Sequence, residues 1–158
     1  MASRVHDATS FYAGIPFSSQ EVSYTTPQVF EEVRHIKKSQ GAVSVLLDTG
    51  RLKIVEPEEK FTRVAISKAQ ETGDYQTLTG EDVSVIALCL QIGGELVTDD
   101  FAVSNVAKHL GLTVFPVMTG GAKMMEWVYY CAGCGTTSSK ESACPVCGSS
   151  LRRKAKNT

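Results

Sequence analysis

Two cysteine pairs near the C-terminus constrain the fold more than any other feature. Cys131-Ala-Gly-Cys134 and Cys144-Pro-Val-Cys147 are Cys-x-x-Cys knuckles separated by nine residues, each followed directly by glycine, Gly135 and Gly148. Two such knuckles offer four thiolates to a tetrahedral Zn²⁺, and the glycines permit the tight turns that aim backbone N–H groups at sulfur. Four cysteines leave no open position for water or substrate, so the implied metal is structural. A segment this short does not fold on apolar burial alone, and the knuckles predict a metal-stapled mini-domain. Disulfides are the alternative, disfavoured in a chain read as cytoplasmic. Iron in a rubredoxin-type site is another, since Trp127, Tyr129 and Tyr130 flank the knuckles as aromatics do there; zinc is preferred because no di-iron helix motif or redox domain accompanies them. The fifth cysteine, Cys89, sits in an apolar helical pattern and reads as a buried, inert thiol.

The rest of the 158-residue chain is long enough for one ordinary domain with its own core. No apolar run reaches the ~20 residues needed to span a bilayer, and no charged-then-apolar leader opens the chain, so the expected location is cytoplasmic, away from membranes. The net charge of −1 conceals an asymmetry: residues 1–126 carry 11 Lys+Arg against 16 Asp+Glu, whereas residues 127–158 carry 5 against 1. An acidic body thus bears a basic end, where Arg152, Arg153, Lys154 and Lys156 are either solvated or in contact with phosphate.

From Ser3 to Phe115, β-type runs alternate with helix-period segments, the pattern of a mostly parallel sheet covered by helices. Thr26-Pro27 opens a helix with Val29, Phe30, Val33 and Ile36 on its apolar face, expected to run to Gly41. Leu52 to Val55 reads as a strand, Pro57-Glu58-Glu59 starts a helix ending near Thr72-Gly73, and Thr79 caps another that stops at Gly93-Gly94. A strand over Leu96 to Thr98, a helix through Val103, Val106 and Leu110, and a strand over Leu112 to Phe115 complete a β-α-β unit with parallel strands. Glycines between Met118 and Lys123 mark a linker.

Sites in such sheets form at the carboxyl ends of the strands, which draws attention to Asp7, after the Ser3 to His6 segment, and Asp100, after Leu96 to Thr98. They share a rim if their strands are neighbours. Asp82, in the first turn of the Thr79 helix, is a third candidate. At ~100° per residue, Glu31 falls opposite the apolar face of the Thr26 helix and Glu32 at its edge, half-buried and turned toward the sheet. Converging carboxylates without histidine or cysteine suit Mg²⁺ or Mn²⁺, and the matching chemistry is phosphodiester hydrolysis. Each acid also has a structural reading: Thr79-x-x-Asp82 matches a capping box, Asp99-Asp100 an N-cap, Asp7 an Asx turn, Glu32 a solvated helix position, and Asp74 a turn or a supporting role at the site. The aromatics Trp127, Tyr129 and Tyr130 either stack on RNA bases or form the small core of the cysteine unit.

Together His6-Asp7-Ala8-Thr9-Ser10, Val29-Phe30-Glu31-Glu32-Val33, Asp82-Val83 and Thr98-Asp99-Asp100 resemble the PIN-domain nucleases, in which an aspartate after the first strand, a glutamate on an early helix and two later aspartates bind the catalytic metal. The string Tyr24-Thr25-Thr26-Pro27-Gln28-Val29-Phe30-Glu31-Glu32-Val33-Arg34, then Thr72-Gly73-Asp74 leading to Leu78-Thr79-Gly80-Glu81-Asp82, is similar to the Nin-one-binding (NOB) endonucleases of archaeal and eukaryotic ribosome maturation, and the compact length to their archaeal members. The resemblance implies a PIN-like nuclease domain (residues 1–117), a linker (118–126), a zinc ribbon (127–153) and a basic tail (154–158). It implies catalysis by Asp7, Glu32, Asp82 and Asp100 with Mn²⁺ or Mg²⁺, secondary parts for Asp99, Asp74 and Thr98, and one structural Zn²⁺ on the four knuckle cysteines. RNA contact falls to Trp127, Tyr129, Tyr130, Arg152, Arg153 and Lys154. The implied reaction is 3′-end maturation of precursor small-subunit ribosomal RNA within a pre-ribosomal particle and its assembly factors. A toxin-type PIN ribonuclease and a non-catalytic RNA-binding scaffold remain alternatives. One departure stands out: PIN domains have an apolar strand before the first aspartate, and here only Ala2 and Val5 are apolar, with His6 directly before Asp7.

Overall fold

The computed structural model describes residues 3–35, 40–117, 127–138 and 143–155. Strands β1 (Arg4–His6), β2 (Ser23–Thr25), β3 (Leu52–Ile54), β4 (Glu95–Val97) and β5 (Thr113–Phe115) form one parallel sheet in the order β3-β2-β1-β4-β5. The chain winds outward from β1 in both directions, so the strand order reverses there and a crevice opens beyond the carboxyl ends of β1 and β4. The expected adjacency of those strands holds: His6 pairs with Val97, which sets Asp7 beside Thr98.

Helices α1 (Ala8–Tyr12) and α2 (Ile15–Ser18) follow β1, and α3 (Pro27–Val33) follows β2. The Thr26 hydroxyl accepts from the Val29 amide at 3.3 Å, as its sequence predicts, and is 2.7 Å from the Ser84 hydroxyl. The helix expected to reach Gly41 is shorter. It closes with Arg34 as C-cap, and a separate helix α4 (Gln40–Asp48) takes Gly41 into its first turn. Ile36 lies outside the described residues, as do the linker 118–126 and Lys156.

Helix α5 (Glu59–Thr72) ends on Gly73 at φ 84°, a left-handed position that suits glycine, and a turn of 3-10 helix (Tyr75–Thr77) leads to α6 (Gly80–Ile92). Every residue from Val83 to Cys89 in α6 is buried, which makes it a central helix packed on all sides rather than a one-faced cover. Helix α7 (Phe101–His109) then returns the chain to β5. Val5 and Leu96 from the sheet, Ile86 and Leu88 from α6, and Val103 and Val106 from α7 form the centre of one apolar core. Cys89 is fully buried as expected: its thiol, pushed up to about 12 mainly by burial, donates to the Gly94 carbonyl.

The C-terminal unit is an antiparallel three-stranded sheet of β6 (Trp127–Tyr130), β7 (Thr137–Ser138) and β8 (Arg152–Ala155), in the order β7-β6-β8. Lys154 pairs with Val128 and Ala155 with Trp127, so residues 154 and 155, assigned from sequence to the basic tail, lie in a strand of this sheet. Among the described residues, no helix is long and apolar enough to cross a membrane.

Candidate active site

The predicted aspartates Asp7, Asp82 and Asp100 each sit at the start of a helix and bond to its first amides. Asp7 is the N-cap of α1: its Oδ1 accepts from the Ser10 amide at 3.1 Å and the Thr9 hydroxyl at 2.6 Å, and its Oδ2 from the Thr98 hydroxyl. Asp100 is the N-cap of α7, with Oδ1 accepting from the Val103 amide at 3.0 Å. Asp82 completes the capping box of α6: its Oδ2 accepts from the Thr79 amide at 2.9 Å while the Thr79 hydroxyl accepts from the Asp82 amide at 3.3 Å. The structural readings of Asp82 as part of a capping box and Asp100 as an N-cap hold, whereas Asp7, read as an Asx turn, caps a helix instead. Among the described residues, these caps leave Asp82 Oδ1 and Asp100 Oδ2 without a hydrogen bond.

All three line one cleft of about 360 Å³, together with Glu32, Glu81, Ala8, Thr9, Tyr12, Val29, Thr77 and Thr79. Five of these side chains are carboxylates, and among the described residues no lysine, arginine or histidine lines the cleft. Burial raises the Asp7 carboxyl above its ordinary range, against the pull of three hydrogen bonds, and the neighbouring Asp100 raises it further. Burial likewise raises Asp82, with Asp100 and Asp7 adding to the effect. Crowded carboxylates with hard oxygen donors and no protein cation fit a divalent metal such as Mg²⁺ or Mn²⁺. Their donor atoms do not gather as closely as the knuckle sulfurs, the only group of three or more metal-capable side chains with donors within 4.8 Å among the described residues. A looser set suits Mg²⁺, which keeps several of its waters.

The remaining predicted residues divide between cleft and elsewhere. Glu32 lines the cleft but is exposed rather than half-buried; the Tyr12 hydroxyl donates to its Oε1 at 2.9 Å. Glu31 points away and pairs with Arg34 at 3.0 Å, as the helical geometry predicts. Thr98 is buried and bridges two acids, donating to Asp7 and accepting from the Asp100 amide at 3.0 Å. Asp99 turns the other way, its Oδ1 accepting from the Val117 amide at 2.8 Å. Asp74, expected near the site, is fully buried outside the cleft lining, where it accepts from Thr72 at 2.8 Å and Asn105 at 2.7 Å. Sequence reasoning missed Tyr12 and Glu81. Glu81 is adjacent to Asp82 in the first helical turn, whereas Tyr12 carries no motif and is recognisable only by the bond to Glu32.

The apolar-strand departure has a physical resolution. His6 occupies the buried slot before Asp7, with Nδ1 2.5 Å from the Ser10 hydroxyl and its ring edge-on to Phe11. Burial, aided by Arg4, lowers its pKa to about 4, so at neutral pH it behaves as a small uncharged ring that fills the core.

The cysteine unit has the expected geometry. Gly135 and Gly148 adopt φ of 76° and 74°, their amides donating to the Cys131 and Cys144 carbonyls, and the four sulfurs lie within 4.8 Å of one another. Sγ separations of 3.3 Å for Cys131 to Cys147 and 3.5 Å for Cys134 to Cys144 approach the roughly 3.8 Å tetrahedral edge that a Zn–S bond length implies. Of the predicted aromatics, Tyr129 is buried with its hydroxyl on the Gly73 carbonyl, Trp127 is half-buried and packs edge-on to Phe101, and Tyr130 is half-buried beneath Lys154. Arg153 lies over Trp127, while Arg152 and Lys154 remain exposed.

Residues 5–92 match the family described as the PIN domain of ribonuclease. Over 151 residues, 94% of this chain and 91% of the relative, the sequence is 33% identical to "Endoribonuclease Nob1" of Pyrococcus abyssi. It is 34% identical to the protein of the same name in Methanocaldococcus jannaschii, over 98% of this chain and 78% of the relative. A shorter match, 31% identity over 49% of this chain and 17% of the relative, links it to the "20S-pre-rRNA D-site endonuclease NOB1" of Saccharomyces cerevisiae.

Proposed function

Since the chain belongs to the Nob1 family of PIN-domain endoribonucleases, we propose that it matures the 3′ end of precursor small-subunit ribosomal RNA, using Mn²⁺ or Mg²⁺ held by Asp7, Glu32, Asp82 and Asp100. The observation that carries this reading is the cleft itself: carboxylates raised by burial and by one another, with no basic side chain beside them among the described residues. The substrate assignment draws on the yeast relative, whose name specifies a precursor ribosomal RNA. Its expected partners are the pre-ribosomal particle and its assembly factors, in the cytoplasm.

A bound divalent cation supplies activation of water and neutralisation of charge on the leaving oxygen. The protein's part is positional. Cap bonds fix one oxygen each of Asp82 and Asp100, and the Thr98 bridge fixes Asp7 relative to Asp100, so the free oxygens face the cleft at little further entropic cost. Glu32, which lines the cleft, is held by the Tyr12 hydroxyl, which orients its carboxylate for the cation. The cysteine unit is assigned one structural Zn²⁺.

The test incubates the purified chain and its Asp82→Asn variant with Mn²⁺ and a labelled RNA spanning the small-subunit 3′ junction. Asparagine keeps a cap oxygen, so the helix persists, verified by circular dichroism. Cleavage at the mature end that the variant loses supports the proposal; equal cleavage by both proteins refutes the metal site.

A further inference from the structure

The ribbon meets the nuclease domain along a seam that leads to the cleft. An added Cβ at Gly73 would lie 2.6 Å from Trp127 Cβ, so the two backbones approach as closely as only glycine allows. The Gly73 carbonyl accepts from Tyr129 Oη at 3.0 Å and Arg153 Nη1 at 3.4 Å. Next to it, the buried Asp74 spends Oδ2 on Thr72 and Asn105, while Oδ1 has no hydrogen bond among the described residues and sits 3.7 Å from Arg153 Nη1. The ribbon thus supplies the cation that offsets a carboxylate buried in the other domain.

Two routes run from this seam to the acidic site. The Asp74 carbonyl accepts from the Thr77 amide at 2.9 Å and the Thr77 hydroxyl at 2.8 Å, forming the 3-10 turn, and Thr77 lines the cleft. Trp127 packs against Phe101, the residue directly after the cleft acid Asp100, with ring centroids 6.1 Å apart. Asn105 of α7 joins the two routes through its bond to Asp74. We propose that the docked ribbon positions the cleft: through Gly73-Asp74 it holds Thr77, and through Phe101 it holds Asp100, so that loosening the ribbon weakens cation binding at the cleft. Trp127 and Arg153 are then positioning residues. The inference rests on the metal-site reading above.

The experiment uses the full chain, with Trp127→Ala and Arg153→Ala as seam variants and the exposed Arg63→Ala as control. Metal analysis gives the zinc content of each, and a seam variant is used only where it matches the wild type; Arg153→Ala, which leaves β6 unaltered, serves if Trp127→Ala does not. Amide hydrogen exchange at Thr77 and Val103, the latter bonded to Asp100, reports the two routes without reference to activity. Mn²⁺ affinity is read by electron paramagnetic resonance. The seam variants are expected to exchange about tenfold faster at both amides and to bind Mn²⁺ about fivefold more weakly, with Arg63→Ala unchanged. Unaltered exchange in zinc-replete seam variants overturns the coupling. Faster exchange with unaltered Mn²⁺ affinity, where Asp82→Asn loses that affinity, overturns its consequence for the cleft. A wild type that takes up no Mn²⁺ overturns the metal-site reading and the affinity half of the proposal, while exchange still decides the mechanical half.

Discussion

Replacing Thr98 with valine removes one oxygen and keeps the side-chain shape, yet that oxygen serves two acids. It donates to Asp7 Oδ2 and accepts from the Asp100 amide at 3.0 Å, in a position 2% exposed where water has little access. A hydrogen bond to an ionised carboxylate contributes about 1.5–3 kcal/mol, and an amide losing its acceptor costs about 1 kcal/mol, so Thr98→Val is expected to lose roughly 2–4 kcal/mol of stability. The Thr98 bond is one of those holding the Asp7 carboxyl down against burial, so its loss raises that carboxyl further and makes the ionised, metal-binding form harder to reach. Support of this kind around a metal is worth about 10- to 100-fold in affinity, which sets the expected fall in Mn²⁺ binding. Urea denaturation of the metal-free protein and a Mn²⁺ titration read the two effects, and Thr98→Ser, which keeps the hydroxyl, should restore most of both. A valine variant within about 0.5 kcal/mol of wild type, or one that binds Mn²⁺ as tightly, would refute the bridging role.

His6 has a folded pKa lowered to about 4 from 6.5, so the stability it contributes is fully present above 6.5 and is lost as pH falls toward 4, by about 3 kcal/mol in all; its ring should show no NMR titration near 6.5, and His6→Leu should remove this contribution to the pH slope. Asp7 and Asp82 act in the opposite sense, because a raised carboxyl makes the folded metal-free protein bind more protons than the unfolded chain, and stability falls as pH rises through the raised values; Mn²⁺ should therefore stabilise the fold more at about pH 7 than at about pH 5, and equal stabilisation would count against binding at these acids. Tyr12→Phe deletes the donor to Glu32 at an exposed site and should weaken Mn²⁺ binding only about two- to fivefold without changing stability, a split that titration and denaturation together measure. Zinc chelation should erase protected amides in β6 to β8 while those of the parallel sheet persist, and a ribbon that stays protected without metal would show that its fold does not depend on the knuckles.

The sheet and its carboxyl rim were legible in sequence because helix caps and glycine stops are local signals. Thr26, Thr79, Gly73 and Gly93 each do in the structure what their chemistry predicts. Gly41 misled because a glycine in a first helical turn looks, in sequence, like one past a last turn. The short helices after Asp7 were invisible because five and four residues are too few to show a period. Helix α6 was found by its caps, but its all-round burial was not, since that depends on helices arriving from both sides. In the site, Asp7, Asp82 and Asp100 followed from strand and helix boundaries. Asp74 reads in sequence as a turn residue or a support for the site, and it does form the turn that carries Thr77; that it also faces a docked domain was not legible, because Gly73-Asp74 carries the same turn signature either way and only the ribbon's Arg153 distinguishes the two.

That capping and metal binding looked like rival explanations in sequence reflects counting each aspartate as one group, when it has two oxygens. At Asp82 and Asp100 a single oxygen meets the backbone amides at the helix start, and the other is left over. The arrangement costs little, because a helix N-terminus already favours a carboxylate and fixes its rotamer. Three helix starts therefore bring preoriented carboxylates to one cleft, and on the proposed function their mutual repulsion would be relieved by a cation. Replacing the N-cap Asp100 by serine or threonine would keep the helix and discard the leftover oxygen. Stability would then change little while Mn²⁺ binding collapses, the opposite ratio to that expected of Thr98→Val, where both fall together.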